Sequence, residues 1–300
     1  MGKTDYTAFR KECEACIERM KTGSAFGTDL LPLEIARFDA DPAWIPGMLA
    51  AKSVHDPDYQ IFAHFDKHMG RILDVGANWG YSVGSIRATG SDCPIVSFEV
   101  SPAFGPCLEA IKAIDPFGYD YLICGVGNGE RRTQTFYIPA VNGMTMSALT
   151  TGTLAGLNNG MISNIVGYLE QWRPDVTKPV LQFVVTDCVV DSIDNLLAQM
   201  GSPISEGAVA AIKIDVEGLE GEALRGATSV IRRNRPLLII EGGISSEGVI
   251  PFLDEFGYIV MQREATNIRI ADDIAQQRVN GIFIHRSRLE EYGAIGLLSA

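Results

Sequence analysis

A short apolar run that leads into a glycine-containing loop is the feature that most constrains this chain. Residues 72–80 read Ile-Leu-Asp-Val-Gly-Ala-Asn-Trp-Gly. This order predicts a buried strand, a tight turn and the start of a helix. A second apolar run ends at Glu99. Because ligands of parallel α/β sheets bind in the crevice at the carboxyl ends of the strands, the two runs together predict a ligand pocket on an α/β sheet.

The loop after the first strand also discriminates between ligands. A dinucleotide fingerprint reads G-x-G-x-x-G and a phosphate-cradling loop reads G-x-x-x-x-G-K-[ST], whereas Gly76 and Gly80 form a G-x-x-x-G with Asp74 just before it. A carboxylate at this position repels phosphate and attracts an ammonium group. The loop therefore fits a ligand with an ammonium group and a ribose but no pyrophosphate, and S-adenosylmethionine has these features. A tight turn in a non-binding α/β domain is the alternative interpretation.

Two further apolar runs end in carboxylates. Residues 211–218 read Ala-Ile-Lys-Ile-Asp-Val-Glu-Gly, and residues 236–243 read Pro-Leu-Leu-Ile-Ile-Glu-Gly-Gly. In a parallel sheet the acids at these strand ends emerge at one edge, where like charges repel and destabilise the fold. A functional site explains this convergence better than stability does, and its predicted members are Asp74, Glu99, Asp215 and Glu241.

The order of the predicted elements indicates domain organisation. From Arg71 onward, strands alternate with helices, which is typical of a mostly parallel sheet. Residues 1–69 look helical with proline interruptions, so we predict an N-terminal helical cap over 1–69 and a ligand-binding domain over 70–300. Residues 139–179 are rich in Gly, Asn, Thr and Ser and break the alternation. A lid over the pocket and a mobile surface insertion are both compatible with this segment.

Composition bears on partners and location. The net charge of -12 disfavours a nucleic-acid-binding surface. Residues 1–22 lack the apolar core of a signal peptide, and no apolar stretch is long enough to cross a bilayer. The six cysteines lie mostly in apolar surroundings, which favours reduced core thiols. These features predict a cytoplasmic protein without nucleic-acid or membrane partners, and they carry no signal of oligomeric state.

The chain also resembles a known family. The resemblance rests on Asp74-Val-Gly-Ala-Asn-Trp-Gly80, Phe98-Glu-Val-Ser-Pro102, Ile212-Lys-Ile-Asp-Val-Glu-Gly-Leu-Glu220 and Leu224-Arg-Gly-Ala227. These segments are similar to those of the FkbM methyltransferases, over about residues 70–285. The phrase Lys-Ile-Asp-Val-Glu-Gly is more specific than the glycine loop.

The resemblance implies a class I methyltransferase fold. This fold is a seven-stranded, mostly parallel α/β sheet with an antiparallel C-terminal hairpin, which the predicted strands 257–262 and 281–286 would form. It also implies S-adenosylmethionine as the cofactor, which becomes S-adenosylhomocysteine, and a small-molecule hydroxyl of a metabolite, natural product or sugar unit as the acceptor.

Roles at the site follow from this expected cofactor. Asp74 and the glycine loop would hold the methionine end, Glu99 would accept hydrogen bonds from the ribose hydroxyls with help from Ser101, and Val126 would lie against the adenine. Core packing explains Val126 equally well. The expected cofactor-binding residues are Asp74, Gly76, Ala77, Asn78, Gly80, Glu99, Ser101, Val126 and Asp215.

Methyl transfer to a hydroxyl also needs a base. Asp215 or Glu217 is the favoured candidate, with Glu241 as an alternative base or as an orienting group. The same three carboxylates could hold a divalent ion, but no histidine lies among them, and we predict no metal.

Two other activities compete with O-methylation. An N-methyltransferase would need no strong base, so its activity would hardly depend on Glu217. A dinucleotide-dependent oxidoreductase would need the G-x-G-x-x-G that the loop lacks. A non-catalytic binder with the same fold is disfavoured because Asp74, Glu99 and Asp215 are all present.

Overall fold

The computed structural model describes residues 6–201, 204, 206–272 and 280–299. The chain divides into two compact units, a smaller one of Met1–Asp39 with Thr133–Cys188 and a larger one of Ala40–Arg132 with Val189–Ala300. These boundaries differ from the predicted ones, because residues 40–69 belong to the larger unit. There Ile45, Tyr59 and Phe62 join the apolar core beside the first strand. A lid function for 139–179 stays a prediction.

The larger unit is built on a mixed sheet. Its first part contains β1 (Arg71–Val75), β2 (Ile95–Glu99) and β3 (Tyr119–Ile123), followed later in the chain by β8 (Val209–Ile214) and β9 (Leu237–Glu241). These five strands run parallel in the order β3-β2-β1-β8-β9. The strand order reverses beside β1, so a crevice opens at the carboxyl ends of β1 and its neighbours.

The C-terminal strands complete this sheet. β10 (Tyr258–Glu264) pairs antiparallel with β12 (Asn280–His285), and β12 pairs antiparallel with β9. The predicted α/β class and the antiparallel hairpin are therefore confirmed. Among the described residues the sheet has eight strands instead of seven, because β11 (Asn267–Ile270) adds an outer strand beside β10.

Helices cover both faces of the sheet because adjacent residues of each buried strand point to opposite sides. Ile72 joins one core and Leu73 the other. The first core includes residues of α2 (Ile45–Ala50), α3 (Tyr81–Ala88), α4 (Gly105–Ile114) and α10 (Leu289–Ala294). The second includes residues of α6 (Ile193–Gln199), α7 (Glu220–Arg225), α8 (Thr228–Asn234) and α9 (Val249–Glu255).

One predicted helix is interrupted. Residues 217–233 carry acids early and arginines late, which predicts a single helix, whereas the structure has two helices, α7 and α8, separated at Gly226 and Ala227. A Cβ atom on Gly226 would lie 2.0 Å from the carbonyl oxygen of Gly127, so the chain approaches another backbone segment here. The first residues of the predicted helix form a turn instead, since Glu217 and Gly218 have φ values of 51° and 94°.

The smaller unit combines strands with two helices that pack together. Its helix α1 (Thr7–Thr22) and helix α5 (Asn159–Trp172) share an apolar core that includes Cys13, Ile165 and Phe183. Strand β5 (Arg132–Val141) pairs antiparallel with β6 (Met144–Thr145) and lies beside β7 (Leu181–Asp191). The final residues of β7 continue into the larger unit, where they pair with β4 (Gly125–Val126).

None of the helices in the described ranges combines the length and apolar character that a membrane-spanning segment requires. The six cysteines are all buried, as expected of core thiols.

Candidate functional site

The loop between β1 and α3 approaches the end of β8 very closely. Gly76 has a φ of 81°, and a Cβ atom there would lie 1.8 Å from the carbonyl oxygen of Asp215. Gly80 has a φ of 101°, and a Cβ atom there would lie 2.1 Å from Ile111 of α4. Both positions need a left-handed backbone and leave no room for a side chain, and only glycine meets these two requirements. This explains the predicted tight turn.

Glu99 lies at the end of β2, where two backbone N–H groups hold its carboxylate. Asn78 N donates to Glu99 Oε2 at 2.7 Å, and Ser101 N donates to Oε1 at 2.8 Å. Burial raises the pKa of Glu99 to about 7, although these two hydrogen bonds act to lower it. Each carboxylate oxygen of Glu99 can still accept a hydrogen bond from a further donor.

The side-chain hydroxyl of Ser101 is a second polar group of this residue, besides the backbone N–H that binds Glu99. The residue is 1% exposed, and its Oγ has no hydrogen-bond partner among the described residues. A buried hydroxyl without a partner costs free energy, so this group can still accept or donate a hydrogen bond beside Glu99.

Asp74 lies beneath the loop, fully buried. Its Oδ2 accepts hydrogen bonds from Ser82 Oγ at 2.7 Å and from Ser97 Oγ at 2.8 Å. Its Oδ1 lies 3.3 Å from the ammonium group of Lys213. The structure therefore gives Asp74 a set of partners within the protein.

Lys213 is a residue to which the sequence analysis assigned no role. Its side chain is 5% exposed, and its Nζ also donates to the carbonyl oxygen of Gly76 at 2.5 Å and lies 3.4 Å from Asp215 Oδ2. Burial acts to lower the pKa of Lys213, but the charges of Asp215 and Asp74 outweigh burial and raise it above its ordinary value. A lone charge within the otherwise apolar run of β8 was the signal that could have identified it.

Three carboxylates converge beyond Lys213. One oxygen each of Asp215, Glu217 and Glu241 lies within 4.8 Å of the others. A hydrogen bond to Asp215 and burial raise the pKa of Glu241 to about 9. Burial acts to raise the pKa of Asp215, but Lys213 and the hydrogen bond with Glu241 outweigh it and lower the pKa. The two pKa values are thus shifted in opposite directions, which favours the charged form of Asp215 and the protonated form of Glu241.

Glu217 differs from these two acids. The residue is exposed, yet protein atoms around its carboxyl group desolvate it, and together with Asp215 and Glu220 they raise its pKa to about 7. A general base works best when its pKa lies near the working pH. Among the three carboxylates, Glu217 is thus the one best suited to take up a proton.

Glu220 holds the turn that carries Glu217. It is 4% exposed, and its Oε1 accepts from Gly218 N at 2.9 Å and from Val216 N at 3.4 Å. Ser246 Oγ donates to its other oxygen at 3.3 Å. Glu217 has a φ of 51°, a conformation that costs free energy for residues other than glycine, and these hydrogen bonds help to maintain it.

The structure thus brings most of the predicted site residues to one edge of the larger sheet. At the carboxyl ends of β1, β2, β8 and β9 lie, in that order, the loop Gly76–Gly80, Glu99, Asp215 and Glu241. Ala77 is buried in the same loop, and its N–H donates to the carbonyl oxygen of Phe98 at 3.2 Å. Val126, 7% exposed, packs in the second apolar core and pairs with Asp191 through β4.

Comparison with solved structures gives distant likenesses. A methyltransferase FkbM from Methylobacillus flagellatus KT is 14% identical with a TM-score of 0.41, over 81% of this chain and 59% of that one. The cofactor-bound Rv0187 from MTB is 12% identical with a TM-score of 0.36, over 82% and 91%. The SAH-bound methyltransferase PaMTH1 from Podospora anserina is 12% identical with a TM-score of 0.34, over 95% and 98%.

The present chain thus spans 59% of the length of the first of these structures. Comparison with curated proteins finds no match. The methyltransferase FkbM domain model matches residues 74–260, which include the glycine loop, Glu99 and all three clustered carboxylates. The chain belongs to the FkbM methyltransferase family.

Proposed function

We propose that this protein is an S-adenosylmethionine-dependent O-methyltransferase that acts on a hydroxyl of a small metabolite, natural product or sugar unit. The observation that carries the proposal is the arrangement at Glu99, where a buried carboxylate is oriented by two backbone N–H groups next to the partnerless hydroxyl of Ser101. Two acceptor oxygens and one free hydroxyl at a strand end match the hydroxyl groups of a ribose.

The surrounding residues fit the rest of the cofactor. In our proposal, the loop Gly76–Gly80, with Ala77 and Asn78, binds the methionine end, Val126 packs against the adenine, and the carboxylates of Asp74 and Asp215 supply negative potential for the cationic groups. Lys213 lies between these two carboxylates and balances part of their charge. When bound, the cofactor supplies a methyl group on a sulfonium, which is transferred by in-line displacement.

The proton of the acceptor hydroxyl must be taken up by a base. We assign Glu217 as the general base, because it is exposed and its pKa of about 7 lets it accept a proton near neutral pH. Asp215 is already engaged by Lys213 and Glu241, so we assign both Asp215 and Glu241 to orienting the acceptor hydroxyl. The proposal needs no metal ion at these three carboxylates.

The first test is calorimetric titration with S-adenosylhomocysteine. We expect micromolar binding to the wild type, and at least tenfold weaker binding to Glu99→Ala and to Ser101→Ala, since each variant loses a hydrogen-bonding group facing the ribose. Glu109→Ala removes an exposed acid of α4 that bonds to Tyr121 and serves as the matched control. Lack of binding to the wild type would refute the proposal.

The second test concerns the acceptor. Transfer of a labelled methyl group to hydroxyl compounds, lost in Glu217→Gln, supports O-methylation. Transfer to amines that persists in Glu217→Gln would instead identify an N-methyltransferase, because an amine needs no strong base.

A further inference from the structure

Four rings form a continuous aromatic surface on the larger unit, which we call the aromatic shelf: Trp44, Trp79, Tyr81 and His55. The ring centroids of Trp44 and Trp79 are 5.9 Å apart, those of Trp79 and Tyr81 are 4.1 Å apart, and those of Tyr81 and His55 are 5.5 Å apart. Their interplanar angles of 71°, 65° and 49° make these contacts edge-to-face or tilted. Because Trp44 and Tyr81 are about half exposed, another flat group can contact the shelf.

Two of the shelf rings are well exposed for large aromatic side chains. Trp44 is 51% exposed and Tyr81 is 46% exposed. In the described ranges, arginine side chains lie over Phe26, Phe117, Phe256 and Tyr292, but over none of the shelf rings. Contiguous exposed apolar surface on a protein often marks a site that binds a ligand or a protein partner.

The shelf adjoins the proposed cofactor loop. Trp79 and Tyr81 are the residues on either side of Gly80. His55 is fixed to the next turn of α3, because its backbone N–H donates to Ser85 Oγ at 3.1 Å and its Nδ1 lies 2.6 Å from the same atom. Trp79, Tyr81 and His55 are therefore held next to the loop.

The shelf also lies within electrostatic range of the acidic cluster. The charges of Asp215 and Asp74, which lie at the ends of neighbouring strands, act on His55, as do those of Asp56 and Lys213. Asp215 in turn lies within 4.8 Å of Glu217 and Glu241 through their carboxylate oxygens. A flat group on the shelf would thus lie near the carboxylate cluster that contains Glu217, the proposed base.

The aromatic shelf and the acidic cluster together indicate the chemistry of the acceptor. An aromatic ring stacks offset or edge-to-face on tryptophan and tyrosine and gains more than the buried area alone provides. The pKa of a phenol is about 10, whereas that of an aliphatic hydroxyl is close to that of water, about 15.7. For any one carboxylate or imidazole base, removing the phenol proton is thus easier by a factor of about 10⁵ to 10⁶.

We propose that the aromatic shelf binds the ring of the acceptor, and that the acceptor is a phenolic hydroxyl compound. This inference rests on the proposed O-methyltransferase function and adds the substrate class to it. The shelf holds the ring, the clustered carboxylates orient the hydroxyl, and one carboxylate removes the phenolic proton as the oxygen–methyl bond forms and the sulfur–methyl bond breaks.

The test compares two acceptors of nearly equal shape. We would measure transfer of a labelled methyl group from S-adenosylmethionine to 4-ethylphenol and to trans-4-ethylcyclohexanol. We expect kcat/KM to be at least about a hundredfold higher for the phenol, given the difference in proton affinity. Trp79→Leu and Trp44→Leu should each raise KM for 4-ethylphenol by about tenfold, which corresponds to the loss of one ring contact.

Two measurements keep this test independent of folding and of the proposed function. S-Adenosylhomocysteine binding should be unchanged in both shelf variants, and Phe117→Leu, which removes an exposed ring before β3, should leave KM for 4-ethylphenol unchanged. Equal or better turnover of the cyclohexanol or of methyl glucoside would overturn the inference. So would an unchanged KM in the shelf variants, or failure of 4-ethylphenol to bind or react in protein that binds S-adenosylhomocysteine. Failure to bind S-adenosylhomocysteine at all would refute the proposed function itself.

Discussion

The ammonium group of Lys213 donates a 2.5 Å hydrogen bond to the carbonyl oxygen of Gly76. The same group lies 3.3 Å from Asp74 Oδ1 and 3.4 Å from Asp215 Oδ2. A single buried cation therefore fastens the loop after β1 to the end of β8 and balances a carboxylate from each strand. Through it, the proposed cofactor loop and the acidic cluster are held as one unit.

Replacing this cation should damage both stability and binding. In Lys213→Met, the fully buried carboxylate of Asp74 and the partly exposed carboxylate of Asp215 lose their counter-ion. Because the charge of Asp74 is then buried without a partner cation, we expect the free energy of unfolding to fall by about 3–5 kcal/mol. Urea denaturation measures this loss, and calorimetry should show that S-adenosylhomocysteine binding is lost as well.

The matched control is Lys112→Met. Lys112 pairs with Asp120 at 2.9 Å, but their side chains are 44% and 35% exposed, so removing the pair should cost at most about 1 kcal/mol. In the double variant Lys213→Met/Asp74→Asn, the neutral amide should restore part of the lost stability. Equal losses in Lys213→Met and Lys112→Met would contradict the role assigned to the buried cation.

Cofactor affinity should depend on pH through Glu99. Burial raises the pKa of Glu99 to about 7, so in the free protein the carboxyl group is increasingly protonated as pH falls below 7. The charged carboxylate is the stronger acceptor for ribose hydroxyls, so affinity should fall as pH decreases from 8 to 6, by at most about tenfold per pH unit. Calorimetry with S-adenosylhomocysteine at pH 6, 7 and 8 measures this dependence.

Two variants identify the group that titrates. Glu99→Gln cannot ionise, so its weaker binding should be independent of pH over this range. Glu217→Gln also removes an acid with a pKa of about 7, yet it should keep the pH dependence of the wild type. If both variants behaved like the wild type, another group would be responsible.

The sheet and its ligand edge could be predicted from the sequence because the signals are local. Buried runs such as Leu237–Glu241 are short, apolar and bounded by turn residues, so strand positions followed directly. The outer strand β11 was not predicted, since only Ile268 of its four residues is buried and the apolar pattern is weak. Helix α5 was also missed, although Met161, Ile165 and Leu169 repeat with helical spacing.

The site was predictable in part for the same reason. The acids at the strand ends could be placed at one edge because parallel strands share a direction. Partners that come from distant segments could not be deduced. The hydrogen bonds of Glu99 with Asn78 and Ser101, and the position of His55 against Ser85, depend on the packing of loops that no sequence spacing encodes.

The close approach of Gly76 to the end of β8 predicts that a side chain at position 76 would displace the loop. In Gly76→Ala, the new Cβ would lie 1.8 Å from the backbone oxygen of Asp215, so the loop must move. We expect S-adenosylhomocysteine binding to be lost. Gly90→Ala is the control: its φ of 93° imposes a similar backbone strain of about 1–2 kcal/mol, but no atom lies within 4 Å of the new Cβ. Gly90→Ala should therefore bind like the wild type, and unchanged binding in Gly76→Ala would refute the assigned loop geometry.

The base assigned to the reaction can be tested separately from binding. Glu217 carries a carboxyl group with a pKa raised to about 7, and a base must be deprotonated to act, so the wild-type rate with a hydroxyl acceptor should rise as pH increases through 7. Glu217→Gln should lower kcat by about 10² to 10⁴ and remove this rise, because the amide cannot accept the proton. Its affinity for S-adenosylhomocysteine should stay unchanged. Glu247→Gln, another acid of the larger unit, should leave kcat unchanged. A Glu217→Gln variant that retains both its rate and its pH profile would shift the role of base to His55, whose ring lies on the aromatic shelf within electrostatic range of Asp215.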